Sequence, residues 1–299
     1  MKNKLFIIGN GFDIAHGLPT NFNPNFKNIA KKYEQGKFWE LYQTQKDEIW
    51  SDFENLLSSP NFNTLEEIFE GYAPDYLSDK ESDRNSIIFQ VDLNGQLMDA
   101  LYEFADIADK HLCRVQPNEF ITQIIDSDGL YMSFNYTHTL EKIYNIPEHH
   151  ILHIHGEAGN NNLELGYPEG TFSPEKYYYD VRQKGRGPYR AVEFEKHIES
   201  IEDYYVQTAY KQLFTKCKSF SKKIRIDALH NFLDKNTPPL NEIIVYGHSC
   251  TIDFDYFEYL NSNFPTVHWT FYVKGSKQEH DVVTLITNFN IQNANVIRI

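Results

Sequence analysis

The chain has 299 residues, of which 41% are hydrophobic and 23% charged, enough apolar content to fill the core of one large α/β domain. Its formal charge of −14 argues against a surface built to embrace long nucleic acid, which needs many Lys and Arg contacts to phosphate. Three scattered cysteines, Cys113, Cys217 and Cys250, make neither a CxxC pair nor a disulfide framework, and no apolar run approaches the roughly 18 residues of a membrane span; a cytoplasmic protein without membrane association is expected.

The first apolar run, Lys4–Ile8, reads as a buried strand and leads directly into Gly9-Asn10-Gly11-Phe12-Asp13, then His16-Gly17-Leu18-Pro19. Glycines at this place permit a tight turn and let backbone N–H groups approach a phosphate, helped by the positive end of the next helix. The spacing is GxGx5G, not GxGxxG, so turning alone also accounts for it. Asp13 either binds ribose hydroxyls or caps the helix that follows; His16 either faces a ligand or satisfies a local backbone group.

A helical insertion is expected over about 23–128. Within it Ile49, Trp50, Phe53, Leu56 and Leu57 form an apolar stripe at helical spacing, as do Leu97, Leu101, Phe104, Ala108 and Leu112. Glu54 lies on the flank of the first stripe, where a solvated carboxylate is the ordinary expectation.

Leu130–Phe134 reads as the next strand, followed by Asn135, Tyr136 and Thr137, of which Asn135 or Thr137 suits a helix N-cap as well as a ligand contact. Ile151–Ile154 comes next, with His153 and His155 expected on one strand face and Gly156 opening a loop. The pair suits a metal, or His155 alone suits a base at the strand's exposed end, with His153 structural. A second helical insertion over about 168–238 contains helices at Val192–Lys218 and Lys223–Asp234. Basic stretches at Arg182, Lys184, Arg186 and Arg190, and at Lys216–Arg225, read as solvated faces and loops.

Glu242–Tyr246 is a strand ending in Gly247, His248 and Ser249, and Asp253 and Asp255 begin another helix, where capping alone explains one carboxylate. Val267–Val273 and Val296–Ile299 complete the strands. Their unbroken apolarity predicts a parallel sheet covered on both faces: a single α/β domain over 1–299, doubly wound and Rossmann-like, with two largely helical insertions. Four strand ends then bring glycine and polar side chains to one carboxyl edge, the usual place for a ligand in such sheets.

These phrases, "IIGNGFDIAHGLPT", "WSDFE", "SFNYTHTLEKIY", "HIHG" and "YGHSCTIDFDYF", together resemble the AbiH family of bacterial abortive-infection proteins. In order they also resemble, distantly, the motifs of sirtuin-type NAD-consuming domains: Gly9-Asn10-Gly11-Phe12-Asp13, Gly17-Leu18-Pro19 with Phe22, Ser133-Phe134-Asn135-Tyr136-Thr137, His155-Gly156 and Gly247-His248-Ser249. Asp13 and Thr137 depart from the sirtuin pattern, and the cysteine zinc ribbon is missing, so no zinc and no deacetylation are expected.

The resemblance implies NAD as substrate rather than cofactor, and hydrolysis of its N-glycosidic bond. Asn135, His155 and Asp13 are the implied catalytic residues. Gly9, Asn10, Gly11, Phe12, His16, Gly17, Pro19, Thr137, Gly247, His248, Ser249 and Asp253 are the implied nucleotide contacts, and Glu54 a contributor from a lid. It further implies a phage-derived trigger and leaves a homo-oligomer open. Two rival readings stand beside it: a metal-dependent phosphoesterase or nuclease using Asp13, His153, His155, His248 and Asp253, and a nucleotide-binding sensor without turnover.

Overall fold

The protein is described by a computed structural model over residues 4–33, 41–42, 48–62, 71–89, 96–174, 177–179, 190–192, 194–236 and 240–299. Two compact units are drawn from discontinuous stretches: Met1–Ile29, Ala100–Glu164 and Lys223–Ile299 in one, Ala30–Asp99 and Leu165–Lys222 in the other.

The first unit holds a six-stranded sheet: β1 (Lys4–Ile8), β2 (Leu130–Ser133), β3 (Ile151–His153), β4 (Glu242–Tyr246), β5 (His268–Val273) and β6 (Ala294–Arg298). The spatial order is β6-β5-β4-β1-β2-β3, every pairing is parallel, and Leu5 pairs with both Leu130 and Ile243. The helices packed on it are α1 (Asn10–Ala15), α2 (Glu119–Ile124), α3 (Thr139–Tyr144), α4 (Ile226–Asn236), α5 (Phe254–Asn263) and α6 (Gly275–Asn288).

Strand side chains alternate between faces, and here both faces are buried, which is why the strands read as continuous apolar runs. Leu5, Ile7, Met132, Ile243, Val245, Trp269 and Phe271 pack with Leu229 and Leu233 of α4, Phe257 and Leu260 of α5, and Val282 and Leu285 of α6. Phe6, Ile8, Tyr131, Ile244 and Tyr246 pack with Phe12 of α1, Ile121 of α2 and Leu140 of α3. Each such side chain contributes about 1.5–3 kcal/mol through burial. The result is a doubly wound α/β fold, as the apolar runs predict, with the chain reversing its direction of winding between β1 and β4.

Strand ends differ from expectation by one or two residues: β2 stops at Ser133 and β3 at His153, so Phe134, Ile154 and His155 belong to the connections beyond. In the second unit the helix expected over Val192–Lys218 is broken. Val192 ends a strand, Arg190–Val192, antiparallel to Tyr177–Tyr179, and the helices are Phe194–Ser200 and Tyr204–Lys218. The break follows from Asp203, whose side chain accepts from the N–H groups of Tyr205 and Val206 and so starts a new helix. Similarly α4 begins at Ile226, not Lys223. Arg182, Lys184 and Arg186 lie outside the described residues.

Candidate functional site

The connection after β1 is locked to the connection after β4. Gly9 N–H donates to Tyr246 O (3.0 Å) and Gly11 N–H to Gly247 O (2.8 Å). The backbones approach so closely that a Cβ on Gly9 would stand 2.5 Å from His248 Cα, and one on Gly11 2.7 Å from Gly247 Cα. Gly247 itself has φ +73°, and its Cβ would meet Phe12 N at 2.3 Å. Packing of these two tips against each other thus accounts for all three glycines, and it uses the Gly9 and Gly11 N–H groups.

Gly17 ends α1: with φ +74° it donates to Ile14 O while Leu18 N–H donates to Asp13 O, a Schellman closure followed by Pro19. Asn10 Nδ2 donates to Thr20 O (2.7 Å) and fixes the return of this turn. His16 has both ring nitrogens engaged, Nδ1 with Phe12 O and Nε2 with Tyr144 OH, each at 2.7 Å, and burial lowers its pKa. It therefore ties α1 to α3 beside the buried Phe12.

Asp13 is 1% exposed. Thr137 Oγ1 lies 2.6 Å from one carboxyl oxygen, Thr139 Oγ1 2.7 Å from the other, and the two hydroxyls are 2.8 Å apart. Burial raises the Asp13 pKa to about 6, against the lowering effect of hydrogen bonds from Thr137, Thr139 and Asn135. The geometry explains the tolerance for a proton: a neutral carboxyl completes a ring of three O–H···O bonds through both threonines, whereas the ionised form leaves the Thr137–Thr139 contact without a proton when both hydroxyls donate to it. Thr139, not foreseen in the sequence, belongs to this clamp between α1 and the β2–α3 connection. The α3 N-cap is His138, without a side-chain cap bond, so neither Asn135 nor Thr137 caps it.

At the tips of β3 and β4 the buried side chains of His155, His248 and Asp253 meet. Asp253 Oδ1 stands 3.6 Å from His155 Nε2, and Oδ2 stands 3.7 Å from His248 Nε2. His248 Nδ1 accepts the Cys250 N–H (3.1 Å), so a neutral His248 carries its proton on Nε2, facing the carboxylate. Phe134 sets its ring edge-on to both imidazoles, at centroid distances of 5.2 and 4.6 Å, walling the cluster from one side. Asp253 precedes α5 but makes no capping bond, and its φ of +59° is the left-handed region, which costs a non-glycine residue about 1–2 kcal/mol. Its carboxylate thus faces two imidazoles rather than the helix. Ser249 accepts only from Thr251 Oγ1 among the described contacts, at the exposed rim.

His153 and His155 part company. His153 engages Asn135 O through Nδ1 (3.1 Å) and Glu141 through Nε2 (2.9 Å), whereas His155 faces Asp253. Asn135 is buried, with its N–H on Ser133 Oγ and its side chain toward Asp13. In the second unit Glu54 is not a solvated helix carboxylate: its Oε1 accepts from Lys222 Nζ at 2.9 Å, and that lysine side chain is 2% exposed. Phe134, Thr139 and Cys250 are the site residues that sequence reasoning missed; only the alternation Asn135-Thr137-Thr139 hinted at one of them.

No helix among the described residues is long and apolar enough to cross a membrane. The family model described as Bacteriophage abortive infection AbiH matches residues 5–273, most of the chain, from β1 to the end of β5. No curated protein and no solved structure matches.

Proposed function

The chain belongs to the bacteriophage abortive infection AbiH family, and from that premise we propose that it serves phage defence by cleaving the N-glycosidic bond of NAD at the carboxyl edge of its sheet. The observation that carries the reading is the buried pair of His155 and Asp253 at the β3 tip, with Asn135 on the adjacent connection. The reversal of winding between β1 and β4 sets this cluster where open parallel sheets take their ligands.

In this reading His155 is the general base that takes a proton from the attacking water, or the partner of a ribose hydroxyl. Asp253 orients its ring and stabilises the imidazolium that forms. Scission builds oxocarbenium character on the nicotinamide ribose, and a desolvated carboxylate beside it lowers that barrier. Asn135 positions the ribose or the water. Asp13, near half-protonated around pH 6, contributes chiefly by holding the Asn135 connection through Thr137 and Thr139. Gly9, Asn10, Gly11, Phe12, Gly247 and His248 form the wall against which the nucleotide lies. Such an effector is restrained until a phage-derived trigger releases it.

The metal-dependent phosphoesterase reading fits less well. The proton on His248 Nε2 faces Asp253 where a metal would need a lone pair, Asp13 is taken up by two threonines, and His153 by Glu141. Incubation of the purified protein with NAD tests the proposal: release of nicotinamide supports it, and intact NAD under every condition removes it.

A further inference from the structure

A second cluster of ionisable groups shares with the first only the connection after β3, and draws its other members from the start of α3. His138 and Glu141 are three residues apart at the start of α3, hence on one face of it, and Glu157 follows β3 by four residues. One ligand atom from each of the three lies within 4.8 Å of the other two. His138 Nε2 is 3.4 Å from Glu157 Oε2, while His153 Nε2 is 2.9 Å from Glu141 Oε1 and 3.8 Å from Glu157 Oε2.

We propose that His138, Glu141 and Glu157, with His153 at their side, bind a divalent transition-metal ion that pins the connection bearing Asn135 to the connection bearing His155. Both imidazoles have Nδ1 engaged away from the cluster, His138 with Asp109 Oδ1 (3.0 Å) and His153 with Asn135 O (3.1 Å). That pattern, an outer acceptor holding the far ring nitrogen, is the one that directs a histidine lone pair at a metal. A second observation is independent of the grouping: Glu141 Oε2 is buried and has no hydrogen-bond partner, so one carboxylate oxygen in the interior lacks a counterpart.

Charge leads the same way. Asp109, Glu141 and Glu157 bring three negative charges against one from Lys142, 2.5 Å from Asp109, which leaves 3 − 1 = 2 to be balanced when both imidazoles are neutral. A divalent cation supplies that balance. The imidazole and carboxylate donors suit zinc, manganese or cobalt rather than calcium, which takes oxygen alone.

The test is titration of the metal-stripped, full-length protein with Zn2+ and separately with Mn2+, followed by calorimetry and by metal content after dialysis. One equivalent should bind, and His138→Ala and Glu157→Gln should each weaken it at least tenfold. Asp109→Asn, which keeps the shape but removes the carboxylate charge behind the His138 ring, should weaken it about 10-fold or more. His230→Ala, an exposed histidine paired with Asp234, should leave it unchanged. Should His138→Ala fail to fold, Glu157→Gln decides, since that side chain is 30% exposed on a connection. Equal binding by the wild type and Glu157→Gln, or no stoichiometric binding of either ion, overturns the proposal. Neither readout depends on NAD cleavage.

Discussion

Asp253 holds His155 from one oxygen and His248 from the other, at 3.6 and 3.7 Å, in a pocket of side chains that are each no more than 6% exposed. Replacing Asp253 by Asn keeps the shape and a residue type that tolerates φ +59°, but removes the charge facing both rings. NAD turnover should fall about 100-fold or more, in keeping with the size of general-base assistance, while the melting temperature stays within a few degrees. Undiminished turnover in Asp253→Asn would show that this carboxylate has no part in the chemistry.

Asp13 should make stability depend on pH in an unusual direction. Its folded pKa of about 6 lies above the 3.8 of an ordinary aspartate, so between these values the folded state binds more protons than the unfolded. Stability from this group is therefore fully present below about pH 4 and is lost as pH rises through 6, by about 3 kcal/mol in all. Urea midpoints of wild type and Asp13→Asn, measured from pH 4 to 7, should show the wild type losing ground relative to the variant as pH rises. A difference that is flat with pH contradicts the burial argument.

The glycines of the first turn are not equivalent. Alanine at Gly9 or Gly11 drives a methyl group into backbone at 2.5 and 2.7 Å, an overpacking worth about 1–3 kcal/mol that also separates the β1 and β4 tips. At Gly17 the space is open, and alanine costs only the left-handed backbone, about 1–2 kcal/mol. NAD cleavage should consequently suffer in Gly9→Ala and Gly11→Ala but survive in folded Gly17→Ala. The reverse order would show that loop packing is not what these residues provide.

Glu54 should matter for stability rather than chemistry. Removing it takes a carboxylate 2.9 Å away from a lysine side chain that is 2% exposed, and breaking a buried pair of this kind costs about 3–5 kcal/mol. Glu54→Ala should melt markedly earlier, and Glu54→Ala combined with Lys222→Met should recover much of the loss. If Glu54→Ala is as stable as wild type yet inactive, the residue belongs to the reaction instead.

The sheet was legible in the sequence because strands buried on both faces must be apolar at every position, and that signal marks Lys4–Ile8 and Glu242–Tyr246 to the residue. The carboxyl-edge location of the polar clusters was legible for the same reason. Roles within the clusters were not, since a motif shows which residues are close in the chain and not which way each points. Asp253 reads as a cap yet turns into the site because its backbone is left-handed; His153 and His155, two apart, separate because β3 stops between them. Glu54 looked solvated because its partner Lys222 is 168 residues away.

The most direct measurement is nicotinamide release from NAD by purified wild type and His155→Ala at matched folded concentration. The wild type should release nicotinamide, and His155→Ala should lose about 10²–10⁴-fold of that activity while its melting curve is preserved. Equal release by both proteins would contradict the role assigned to His155.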